Sequence, residues 1–182
     1  LLTSILIDAD CTDTACFEDN VKIPEQMSAK ELTAIWCRYR VNCETEIQKM
    51  LREKAASPLD CYRIEISEAC DKFDGNSCGI FRLVVPCGAG KTISALRYAL
   101  QTAERYIKRR IFYIAPYNSI LEQNADEIAR CIGDDNAVLR HHSNTVFEQD
   151  DGEKEKKYKL LTENWSQSPV IAKSAVQFLH TL

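Results

Sequence analysis

An α/β fold with a parallel sheet is predicted by three features of the 182-residue sequence. Short apolar runs alternate with amphipathic helical stretches from residue 80 onward, the pattern of strands joined by helical crossovers. A glycine-rich turn, "CGAGKT", sits between one such run and the next helix. Two further helical stretches precede it without strands between them.

The elements follow in order. Residues 1–20 carry an apolar face and then an acidic cluster, "IDADCTDTACFEDN". A helix opens at "SAKE", where Ser28 and Glu31 stand at capping-box spacing. Leu32, Ile35, Tyr39, Cys43, Ile47, Met50 and Leu51 recur every three or four positions and predict one buried face. Ser57-Pro58 is expected to start a second helix, as N-cap and first-turn proline. Its stripe is Leu59, Tyr62, Ile66, Ala69, Cys70 and Phe73, and Gly75 is a plausible stop. "IFRLVV" (80–85) then reads as a buried strand. Ile93, Leu96, Leu100, Ala103 and Ile107 predict a helix after the turn. "RIFYIAP" predicts a second buried strand, and "SILEQNADEIARCIG" a helix capped by Ser119 and ended by Gly133. "NAVLRHH" and "PVIAKSA" supply two more strands. The charged stretch "EQDDGEKEKKYKL" between them reads as a solvated loop or helix face.

Composition excludes several classes. The formal net charge of −4 argues against a protein that coats DNA with general basicity, though not against a local basic groove. No apolar run approaches the ~20 residues that span a bilayer, and "LLTSILI" lacks the charged lead-in of a signal peptide. The nine cysteines form no Cys-x-x-Cys pair, which disfavours a zinc module and predicts reduced, mostly buried thiols in a cytoplasmic protein.

The chemistry lies at residues 85–92. The strict phosphate-loop pattern is G-x-x-x-x-G-K-[ST], and here Val85 replaces the first glycine. This relaxed form, apolar residue then Pro and Gly-x-Gly-Lys-Thr, resembles that of superfamily-two helicases. Cys87, Gly88, Ala89 and Gly90 form the cradle, the glycines letting backbone amides curl around a phosphate. Lys91, the candidate catalytic residue, brings a charge to the β- and γ-phosphates of ATP, and the Thr92 hydroxyl can ligate Mg²⁺. Thr92 also lies at a helix N-terminus, which favours an anion. The competing reading is an ordinary tight turn.

Downstream, "APYNSILEQNADEI" places Pro116 seven residues before Gln123, with Ile120 between. Superfamily-two helicases carry a similar Pro-x-x-x-[apolar]-x-x-Gln block. A proline-stiffened turn, the short polar side chains of Asn118 and Ser119, and free helix-start amides suit a sugar-phosphate backbone.

The resemblance is closer still. "RIFYIAPYNSILEQNADEIA", "VLRHHSN" and "LLTENWSQSPVIAKSAVQFLHTL" are similar to successive blocks of the CRISPR-associated type I nuclease–helicases, above all the subtype I-C branch. "LLTSILIDADCTDTACF" resembles the close of that family's HD nuclease domain. The resemblance implies an incomplete RecA-like P-loop domain at 58–182, preceded by a helical linker at 21–57 and the last helix of the HD domain at 1–20. It implies that Lys91 and Thr92 bind ATP-Mg²⁺, and that Pro116, Asn118, Ser119, Gln123 and Ser174 hold single-stranded DNA. At Lys173-Ser174 the family usually has two threonines, a departure that weakens the Ser174 assignment. Asp10, with Asp8 as alternative, would be one carboxylate of a divalent transition-metal nuclease site whose other ligands lie upstream. His141 and His142 are adjacent on an extended strand, a poor chelate, and read as structural.

The same resemblance implies a parent protein that translocates 3′-to-5′ on DNA displaced by a guide-RNA surveillance complex and cuts it. No Asp-Glu-x-His motif follows the phosphate loop, and the chain begins with Leu. It is therefore expected to be a piece of something longer, with weak nucleotide binding and negligible hydrolysis alone. The alternatives are another superfamily-two translocase, such as a restriction translocase or repair helicase, or a non-enzymatic nucleotide-binding interaction module.

Overall fold

The computed structural model describes residues 27–53, 58–141 and 168–180. The elements are α1 (Ala29–Glu53), α2 (Pro58–Lys72), α3 (Lys91–Arg105), β1 (Ile111–Ala115), α4 (Asn118–Ile132), a 3₁₀ turn (Asp135–Ala137), β2 (Val138–His141), β3 (Val170–Ser174) and α5 (Ala175–His180). They divide between two compact units. Among the described residues, one holds 28–53, 58–111 and 124–136; the other holds 27, 112–123, 137–141 and 168–180.

The helical unit begins with the anticipated capping box. Ser28 N and Oγ both donate to Glu31 Oε2, at 2.8 and 2.7 Å, and Glu31 N donates back to Ser28 Oγ at 3.3 Å. These bonds favour the ionised carboxylate and hold the Glu31 pKa below its ordinary value. α1 buries Leu32, Tyr39 and Cys43 as its periodicity predicts, but its most buried large residue is Trp36. The Trp36 indole donates to the Lys108 carbonyl at 2.7 Å, so its polar edge is satisfied inside the core.

α3 packs against both α1 and α2, and Arg97 ties the three together. Arg97 Nε and Nη2 grip the two Glu44 oxygens at 2.7 and 2.6 Å, and Nη1 donates to Ser67 Oγ at 3.1 Å. A fork held from both ends loses little further entropy on pairing, which suits arginine here rather than lysine. Asp71 Oδ1 is buried without a hydrogen bond and is held by charge alone, 3.6 Å from Arg40 Nη2.

Three expectations fail in this unit. Residues 80–85 are not a strand; 80–84 are exposed and Val85 is half-buried. A strand needs a hydrogen-bonded neighbour, and the described sheet runs β1-β3-β2 without them. Instead Phe81 packs edge-on against Phe73 at 5.3 Å and Tyr98 at 5.9 Å, which ties the segment to side chains of the helices. Gly75 lets the chain pass that cluster, since a Cβ there would lie 2.5 Å from Tyr98 Oη. The apolar stripe of α2 is likewise not buried: Leu59, Tyr62 and Phe73 are all exposed, while Ser67 faces inward to Arg97. The thiols, too, are mostly not buried. Cys37, Cys61, Cys78 and Cys87 are exposed, and among the described residues only Cys43 and Cys131 are fully buried. Those two thiols hydrogen-bond each other, and that bond together with burial raises the Cys43 pKa.

The sheet unit is built on β3, whose five residues are all buried, as befits a central strand. β2 pairs with β3 in parallel, Val138 opposite Val170 and Arg140 opposite Ala172. α5 packs on β3, and Phe112 meets Phe178 edge-on at 5.7 Å. β1 is only half-buried, because Phe112 and Ile114 point to the exposed side. α4 starts at Asn118, so Ser119 lies in its first turn instead of capping it. It ends as predicted at Gly133, whose φ of 68° and the bond from Asp134 N to the Ala129 carbonyl at 3.2 Å form a Schellman closure.

Candidate functional site

The phosphate loop belongs to the helical unit. Gly88 and Gly90 adopt φ of 78° and 76°, left-handed values that a β-carbon would strain. A Cβ built at Gly88 meets nothing within 4 Å, so the space above the turn is open. Gly90 caps α3 without a side-chain hydrogen bond. Its carbonyl accepts from Ser94 N at 3.0 Å, which leaves the amides of the first turn outside the helix ladder. Backbone donors of this kind, gathered at the positive end of a 15-residue helix, are the groups that an anion site requires.

Two hydrogen bonds run within the loop itself. Lys91 Nζ donates to the Val85 carbonyl at 3.3 Å, and Ala89 N reaches the Pro86 carbonyl at 3.4 Å. Both bonds are long, so a phosphate would replace weak contacts with charge-assisted ones. Cys87 is exposed at the turn, and Ala89 is buried beneath it.

Two residues missed by sequence reasoning complete the surroundings. Arg63 on α2 donates Nε to the Gly88 carbonyl at 2.8 Å and Nη1 to Asp60 at 2.9 Å. That fixes the Gly88 carbonyl toward α2. Nothing in the spacing between 63 and 88 signals the contact. Asn124 on α4 accepts a hydrogen bond from Thr92 Oγ1 at 3.0 Å. A signal for it did exist: Asn124 falls on the same helical face as the buried Leu121 and Ile128, and a polar residue there calls for a partner.

Thr92 therefore fits a magnesium ligand. Its single proton is directed at Asn124, which leaves oxygen lone pairs available for a cation. Lys91 is exposed and free to swing from Val85 to a phosphate.

The proposed polynucleotide residues belong to the sheet unit. Pro116 follows β1 and is exposed, Asn118 opens α4 half-buried, and Ser119 and Gln123 are exposed along its first turns. Leu121 N already donates to the Tyr117 carbonyl at 3.0 Å, so only amides before it are outside the ladder. Ser174, at the end of β3, is buried. Asp8, Asp10 and His142 lie outside the described residues, and so does the side chain of His141. Among the described residues no cluster of three or more His, Cys, Asp or Glu could hold a metal. Among them, too, no helix is long and apolar enough to cross a membrane.

No curated protein matches the chain. The family described as "Type III restriction enzyme, res subunit" matches residues 46–174, well over half of the sequence. That range begins in α1, takes in the phosphate loop and the Pro116 turn, and closes with β3. The chain belongs to this family of superfamily-two, helicase-like DNA translocases, which work with ATP and Mg²⁺.

Proposed function

We propose that this chain binds ATP-Mg²⁺ at Cys87–Thr92 and single-stranded DNA at Pro116, Asn118, Ser119 and Gln123; Ser174, buried at the end of β3, offers little surface for such a contact. The observation that carries the first part is the pair of left-handed glycines at the start of α3, beside a lysine held by one weak bond. The chain's own residues bind and orient. Helix-start amides and Lys91 neutralise the β- and γ-phosphates, Arg63 holds the loop's shape, and Thr92 supplies a neutral oxygen to magnesium. Magnesium, when bound, spreads the charge that develops on the phosphoryl oxygens.

The finer reading is a nuclease–helicase of CRISPR type I defence, with residues 1–20, 21–57 and 58–182 as nuclease end, linker and motor lobe. In that reading Asp10 contributes to a transition-metal site, and a guide-RNA surveillance complex delivers the displaced strand. Its support is the order of blocks such as "VLRHHSN" and "TENW". The name of the matching family favours a second reading, a restriction translocase. Metal-dependent nicking by the full-length protein separates the two.

The DNA part is tested by fluorescence anisotropy of a labelled oligo(dT). Binding should weaken steeply with salt, because phosphate contacts release counterions. Asn118→Ala together with Gln123→Ala should weaken it by about 1–3 kcal/mol, the range for hydrogen bonds to a charged group. Wild-type affinity in the double variant would contradict the assignment.

A further inference from the structure

The hydroxyl of Thr92 has one proton and two lone pairs, and only a lone pair can bind a cation. A freely rotating hydroxyl samples orientations that aim its proton at the metal position. The 3.0 Å bond to Asn124 Oδ1 removes that freedom, because the proton is committed to α4. Asn124 is half-buried on the face of α4 that carries Leu121, Ala125 and Ile128, all buried, so its own position is fixed by core packing. Both partners lie in the same compact unit.

We propose that Asn124 is a positioning residue for magnesium: it accepts the Thr92 proton and so presents the Thr92 oxygen to the metal of a nucleotide–metal complex. The inference rests on the phosphate-loop reading of residues 87–92. It assigns to α4 a part in the nucleotide site that neither the loop motif nor the family match specifies.

A carboxylate in place of the amide would also accept the proton, whereas an aliphatic side chain cannot. The test is titration of a fluorescent ATP analogue into the full chain, once with Mg²⁺ and once with EDTA, for wild type, Asn124→Leu, Asn124→Asp and Thr92→Val. The quantity read is the ratio of the two affinities. In Asn124→Leu the magnesium-dependent gain should fall about 10-fold, the scale for losing a group that orients a metal ligand. Its affinity in EDTA should stay at the wild-type value. Asn124→Asp should restore the gain, and adding Asn124→Leu to Thr92→Val should cost nothing further. Circular dichroism of each variant checks its helices; should Asn124→Leu unfold, Asn124→Asp and Asn124→Ala carry the comparison. An undiminished magnesium gain in the folded aliphatic variants overturns the proposal alone. Failure of the wild type to bind nucleotide in either buffer overturns the phosphate-loop reading, and the proposal with it.

Discussion

Lys173 shows how much a single buried charge can set. It stands on the central strand with no solvent exposure, and desolvation pushes its pKa down from 10.5 to about 8. Between about pH 8 and 10.5 the unfolded chain keeps a proton that the folded chain has released. Stability therefore rises with pH through that window, and below pH 8 the whole penalty of the buried ammonium is present. A shift of this size corresponds to about 3 kcal/mol. Urea unfolding of wild type should give a midpoint that climbs from pH 7.5 to 10.5, while that of Lys173→Met should stay flatter across the same range. Parallel pH profiles for the two proteins would show that burial does not set the lysine's charge. That Lys173 lies in the core depends on strand order, which spacing does not encode.

Among the elements, α3 carries a local strain at its end. Lys108 N bonds to the Ala103 carbonyl at 2.9 Å, closing the helix as Gly133 closes α4, but the left-handed position is filled by Ile107 at φ 50°. A β-branched residue there crowds its own carbonyl, at a cost of about 1–2 kcal/mol. Ile107 is also 45% exposed, so its side chain returns little burial. Ile107→Gly should therefore raise the thermal midpoint, by about 1 kcal/mol of stability once the glycine's extra unfolded-state freedom is subtracted. A lowered midpoint would mean that the isoleucine's contacts outweigh its backbone strain. Ile107 has the right spacing for the apolar stripe of α3, and periodicity alone cannot say that the helix stops two residues earlier. By contrast Gly133 was legible, because glycine after an amphipathic run marks the same closure without ambiguity. So was the Ser28–Glu31 box, which is a purely local interaction. The α2 stripe and the 80–85 run were misread for one reason: an apolar pattern records a tendency to be covered, and coverage depends on neighbours distant in the chain.

For the molecule as a whole, the alternation of strands and helices expected from residue 80 onward led correctly to a mixed α/β fold with a parallel pair of strands, although its first strand, at 80–85, is not formed. The turn at Gly88 and Gly90 was readable because its left-handed conformation is fixed by glycines two residues apart. Its supports were not, since Arg63 and Asn124 reach it across 25 and 32 positions of sequence. The central claim is that Lys91 and the amides around it hold a nucleoside triphosphate. The most direct measurement is equilibrium binding of ATP-Mg²⁺ to wild type and to Lys91→Ala by isothermal titration. Replacing the ammonium should weaken binding by about 1–3 kcal/mol, the span of a charge-assisted hydrogen bond, with the fold unchanged by circular dichroism. Equal affinities, or no detectable binding by either protein, would contradict the account.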